Sequence, residues 1–206
     1  MVSAVALACG AAACGSGGET GSTGGAGATG GSSSETSSTT TSTTGAGGST
    51  TGAYNKLWIP DTLSGKTFNL TLSPSTKQVR PGAKTTTYGY NGADFWGPTL
   101  IMNKGDLVQM HVTNNLAEDT TAHWHGFHIP AIMDGGPHQP IAPGATWSPS
   151  FEVKNRAGMY WYHPHLHLMT EEQMTHGAGG LILVEDAEEA ALPLPRTYGV
   201  DDIPWC

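Results

Sequence analysis

Hydrophobic side chains between residues 66 and 184 recur in short runs at every second position. Phe68, Leu70 and Leu72 alternate with Thr67, Asn69 and Thr71, and Val108, Met110 and Val112 alternate with Gln109, His111 and Thr113. A period of two puts one face of a strand in a core and the other in water, so these runs read as half-buried strands. Further strands are expected at Thr85–Tyr90, Pro98–Met102, Thr120–Trp124, Thr146–Val153, Met159–His163 and Gly180–Val184. Gly, Pro, Asn and Asp clusters such as Asn103-Lys104-Gly105-Asp106 separate them. Short strands punctuated this way predict an all-β antiparallel sandwich with two sheets on one core. One short helix is expected as well. Thr170-Glu171-Glu172-Gln173 has the pattern of a capping box, and Gly177 is placed to end the element about two turns later.

Composition divides the chain before this pattern begins. Residues 1–53 hold no Lys or Arg and only Glu19 and Glu35 as charges, and Gly, Ser or Thr fill 33 of the 39 positions from 15 to 53. Such a segment has too little apolar surface to offset chain entropy and reads as a disordered linker. The apolar stretch 1–14 ends in Ala11-Ala12-Ala13-Cys14 and resembles a bacterial lipoprotein signal with Cys14 as the lipidation site, although it lacks a positive start. The expectation is an exported protein, periplasmic or at the cell surface, that meets a membrane only through such an anchor. Residues 54–206 form the globular domain, long enough for a self-standing core. The whole chain carries a net charge of -8, and a domain this acidic lacks the basic footprint of a nucleic-acid partner.

The chemistry concentrates in two short motifs, Ala122-His123-Trp124-His125-Gly126 and Trp161-Tyr162-His163-Pro164-His165. Residues two apart in a strand project from one face, so each pair aims two imidazoles into the same space. Two such pairs on neighbouring strands bring four nitrogens together. Imidazole without thiolate or clustered carboxylate suits copper, zinc or iron and is poorly matched to calcium or magnesium. Pro164 removes a ladder donor, which places His165 where the strand runs out. A single pair would more often be an ordinary hydrogen-bonded surface feature, but two pairs flanked by Trp and Gly form a much more specific pattern.

These residues resemble the multicopper oxidases, laccase-like enzymes whose first cupredoxin domain carries H-W-H-G and then W-Y-H-P-H. The resemblance extends over Gly97-Pro98-Thr99-Leu100, Lys104-Gly105-Asp106, Thr113-Asn114-Asn115-Leu116, Asp134-Gly135-Gly136-Pro137, Pro143-Gly144 and Gly179-Gly180-Leu181-Ile182-Leu183-Val184. It implies a cupredoxin-like Greek-key β-sandwich with the one short helix after the second histidine pair. It also implies copper as cofactor, with His123 a ligand of a type 2 copper and His125, His163 and His165 ligands of a type 3 pair. The family's cluster reduces dioxygen to water while a reducing substrate, unidentified here, is oxidised. Asp134 matches the family's proton-relaying aspartate, although an aspartate closing a Gly-rich turn explains it almost as well.

The resemblance also implies what else such an enzyme uses: a type 1 copper held by a cysteine and two histidines, and four more cluster histidines. Here the only cysteine of the domain is Cys206, and no histidine follows Leu181. The expectation is therefore an incomplete oxidase, with the missing domains encoded by the same gene or supplied by another chain. Tyr198-Gly199-Val200-Asp201-Asp202-Ile203-Pro204 resembles the family's passage from its first domain to its second. Two other readings stay open: a non-catalytic copper-binding or assembly module, and a mononuclear histidine-site metalloenzyme. His111, His128, His138, His167 and His176 match no ligand of the family. The scattered methionines read as core packing, and Trp124 and Trp161 as braces for the histidines.

Overall fold

In the computed structural model, residues 57–204 are described. The proposed signal segment 1–14, the linker 15–53, Cys14 and Cys206 lie outside them. Ten strands and two short helices follow in order: β1 (Thr62–Ser64), β2 (Thr67–Lys77), β3 (Thr85–Tyr90), β4 (Thr99–Asn103), β5 (Leu107–Asn114), β6 (His123–His125), β7 (Thr146–Trp147), β8 (Ser150–Glu152), β9 (Gly158–His163), α1 (Thr170–Thr175), β10 (Gly180–Glu185) and α2 (Ala187–Ala190). One sheet runs β1-β4-β10-β9-β6. The other runs β3-β2-β5-β7, with β8 also paired to β5.

The alternation works as the sequence suggests. Phe68, Leu70 and Leu72 of β2 and Val108, Met110 and Val112 of β5 are all buried, and the register pairs Phe68 with Met110 and Leu70 with Val112. From the other sheet Leu100, Met102, Ile182 and Val184 meet them in the same core. Trp124 of β6 and Tyr162 of β9 complete the core beneath the histidine strands, both fully buried. The Trp124 indole N–H donates to the Met133 carbonyl at 3.1 Å and the Tyr162 hydroxyl to the Pro98 carbonyl at 2.9 Å. Each large ring therefore satisfies its one polar atom.

Four expectations need correction. The sheets are mixed rather than antiparallel, because β1 with β4, β4 with β10 and β2 with β5 run parallel. Alternation fixes which face is buried and carries no information on the direction of the neighbouring strand. The expected strand Thr146–Val153 is two pieces, β7 and β8, interrupted at Ser148-Pro149, where proline has no N–H for the ladder. The expected strand at Thr120 begins only at His123, since the Thr120 backbone pairs with Ile141 in an isolated bridge. The helix α1 is present and Gly177, at φ +105°, follows it, but no capping box forms. Met169 occupies the cap position without a side-chain bond, because Gln173 turns inward and is fully buried. The additional helix α2 is capped by the Asp186 side chain, which accepts from Glu189 N–H at 2.8 Å. Among the described residues, no helix is long and apolar enough to cross a membrane.

Candidate metal centre

Strands β6 and β9 are antiparallel neighbours in a register that sets His123 opposite His163, Trp124 opposite Tyr162 and His125 opposite Trp161. Since Trp124 and Tyr162 point into the core, strand parity turns His123, His125, Trp161 and His163 to the outer face of that sheet. Ligand nitrogens of His123, His125 and His163 lie within 4.8 Å of one another. His165 follows beyond the end of β9, its ring centroid 5.2 Å from that of His123 and 6.0 Å from that of His163. All four sequence-predicted histidines therefore share one patch. Three converge closely and the fourth sits beside them.

The hydrogen bonds decide which nitrogen each ring presents. The His163 Nδ1 lies 2.7 Å from the Pro164 carbonyl, which can only accept, so the proton is on Nδ1 and Nε2 keeps its lone pair as an acceptor. That Nε2 stands 3.1 Å from His125 Nδ1. Two imidazole nitrogens each about 2.0–2.1 Å from a shared ion, at an angle slightly above 90°, have about this separation. His123 Nδ1 lies 2.8 Å from the Asp134 carbonyl oxygen and 3.3 Å from the Asp134 carboxylate, which again leaves Nε2 free. The donor set thus fits a borderline metal ion.

Burial reinforces the neutral form that metal binding needs. His163 is 5% exposed, and burial pushes its pKa down to about 4, the neighbouring histidines adding to the effect and the Pro164 carbonyl opposing it. His125 is lowered too, by burial first and then by His123 and His165. The Trp161 indole stacks on both rings, at 4.0 Å between centroids from His163 and 5.0 Å from His125.

Asp134 closes the 3-10 turn Ala131–Met133. It reaches His123 because Gly135, at φ +72°, packs against β6 so closely that a Cβ there would lie 1.8 Å from the Ala122 carbonyl oxygen. Three supporting residues carry no sequence signal that marks them as supports for the histidines. Thr121 Oγ1 accepts the His165 N–H at 2.6 Å. Gln173 and Asn155 are buried polar anchors, and Asn155 ties Gly126 to His128 at the turn after β6. The remaining histidines stand apart. His111 bonds Ser148 at 2.9 Å, His176 packs on Tyr88, and His128, His138 and His167 are exposed.

The sequence model of the multicopper oxidase family matches residues 72–189. The chain belongs to the multicopper oxidase family. It is 41% identical over 139 residues to the multicopper oxidase mco of Staphylococcus aureus, a match covering 68% of this chain and 30% of that protein. It is 33% identical over 159 residues to the cell division protein FtsP of Escherichia coli (strain K12), covering 76% of this chain and 34% of FtsP. Among solved structures it resembles the laccase-like multi-copper oxidase CueO from Ochrobactrum sp., with a TM-score of 0.67, 36% identity and coverage of 71% of this chain and 33% of that one. McoA of Aquifex aeolicus gives a TM-score of 0.64 at 35% identity, over 70% of this chain and 33% of McoA. The chain spans about a third of the length of these relatives. The multicopper oxidase fold here is the expected cupredoxin-like β-sandwich, and copper is the metal that family membership implies for its histidine cluster.

Proposed function

We propose that the outer face of β6 and β9 is half of a copper cluster, with His123 serving a type 2 site and His125, His163 and His165 serving a type 3 pair. The carrying observation is the convergence of three imidazole nitrogens within 4.8 Å on the outer face of the sheet. Copper bound there would supply the four-electron reduction of dioxygen to water, at the expense of a reducing substrate. The protein's own part is positional. The Asp134 carbonyl fixes the His123 tautomer, the Pro164 carbonyl fixes that of His163, and Trp161 holds the His125 and His163 rings against one plane. His125 would have to move its proton from Nδ1 to Nε2 to ligate at the nitrogen facing His163. The Asp134 carboxylate, 3.3 Å from His123, is the group we assign to proton delivery. The remaining ligands and the electron entry come from protein laid over this face. Export through a lipid anchor at Cys14 belongs to the same reading and is tested by fatty-acid labelling of the protein against its Cys14→Ser variant.

Metal analysis and an oxygen electrode test the proposal. The chain should retain copper, and with copper, complementary domains and a phenol or cuprous ion it should take up oxygen. Asp134→Asn should slow that uptake and keep the copper; loss of copper instead would make Asp134 structural. Zinc or iron retained at one per chain in place of copper would favour a mononuclear site. The second reading is a non-catalytic copper-binding or assembly module, and failure to take up oxygen in the completed assembly would support it.

A further inference from the structure

His165 is the one member of the group that no strand holds. β9 ends at His163 and Pro164 has no N–H, so the ladder cannot continue through the loop that carries His165. Its backbone N–H is taken by the hydroxyl of Thr121 at 2.6 Å. Thr121 is fully buried and lies two residues before His123. One hydroxyl thus joins the segment leading into the first histidine pair to the loop bearing the end of the second.

The Thr121 segment is itself pinned from α1. Gln173 is fully buried. Its Oε1 accepts from the Thr120 hydroxyl at 2.8 Å, and its Nε2 donates to Glu118 Oε1 at 3.0 Å and to the Asp119 carbonyl at 2.8 Å. The helix that carries Gln173 is in turn tied to the His165 loop, because the Thr170 hydroxyl donates to the Leu166 carbonyl at 2.9 Å. The connections close a ring: loop, helix, Gln173, residues 118–121, Thr121 and back to His165. Buried polar side chains are costly unless fully paired, and fully paired they permit one geometry.

We infer that Thr121, in the segment that Gln173 pins at residues 118–120, is a positioning residue that sets where His165 stands relative to His123, His125 and His163. The inference rests on the proposed copper reading and adds a residue outside the ligand motifs. Its test uses the full 206-residue chain with Cu(II) as probe. Affinity is read by chelator competition and coordination by the electron paramagnetic resonance spectrum, while circular dichroism checks the fold. Thr121→Val keeps the side-chain shape and removes the acceptor; it should weaken Cu(II) binding by about 10-fold or more and alter the spectrum. Thr121→Ser should restore both. In a His165→Ala background Thr121→Val should cost nothing further, since its effect passes through that ring. If Thr121→Val does not fold, Thr121→Ala, which adds no bulk, replaces it in the same comparison. An equal cost in both backgrounds would make Thr121 a general fold residue and overturn the inference. So would unchanged affinity in Thr121→Val while His165→Ala loses copper, an outcome that leaves the copper reading standing. Unchanged affinity in His165→Ala would remove His165 from the ligand set and defeat both.

Discussion

Replacing His163 by glutamine should make the metal-free protein more resistant to mild acid. The folded protein holds His163 neutral down to about pH 4, whereas the unfolded chain protonates it near pH 6.5. As pH falls below 6.5 the unfolded state binds a proton that the folded state refuses, so stability drops through the window and levels off below about pH 4. The linkage difference amounts to about 2 kcal/mol at pH 5 and about 3 kcal/mol at pH 4. Against a typical domain stability of about 5–15 kcal/mol, that is a large fraction. Asp106, lowered by Lys66, and Asp186, lowered by backbone N–H groups, lose their contributions only at more acid pH and are common to both proteins. Urea unfolding of the metal-free wild type and His163→Gln at pH 7.5, 5 and 4 measures the effect. The wild type should lose about 2–3 kcal/mol more than the variant across that range. Parallel losses in the two proteins would mean that burial of His163 does not suppress its protonation.

Three further outcomes follow from the same geometry. Gly135→Ala places a methyl group against the Ala122 carbonyl at a left-handed backbone position; thermal unfolding should show a loss of about 2–4 kcal/mol and Cu(II) titration a weaker site, and an unchanged melting temperature would deny the close approach. Tyr162→Phe removes the bond to the Pro98 carbonyl and should cost about 1 kcal/mol in urea unfolding with copper affinity unchanged; a strong copper effect would show that β9 shifts with that hydroxyl. Cu(II) at about 100 times its dissociation constant should stabilise the fold by about 2.7 kcal/mol, raising the melting temperature in differential scanning calorimetry; in His163→Gln most of that rise should vanish.

How far the sequence carried this account depended on the kind of atom involved. β2 and β5 were legible because each buries a single face, and their alternation reports that burial directly. Strand direction was not, because a parallel neighbour and an antiparallel one ask for the same alternation, and β2 and β5 are parallel. The histidine pairs were legible for the parity reason too, with His123 and His163 landing opposite each other. What holds them was not. The partners of His123 and His163 include main-chain carbonyls of Asp134 and Pro164, and a carbonyl has no letter in a sequence. Gln173 offered a misleading letter. Its place after Thr170-Glu171-Glu172 suggested a helix cap, while burial recruited it to Thr120, Glu118 and Asp119 instead.

If these imidazoles form a copper-binding face, copper added to the chain is held by them. A Cu(II) titration of the full chain with its thiols blocked, followed by pulsed electron paramagnetic resonance for imidazole nitrogen couplings, tests it most directly. The wild type should show imidazole-coordinated copper, and those couplings should be lost, with affinity down by at least about 100-fold, when His123, His125 and His163 are all changed to alanine. Equal affinity and the same couplings in the triple variant would contradict it.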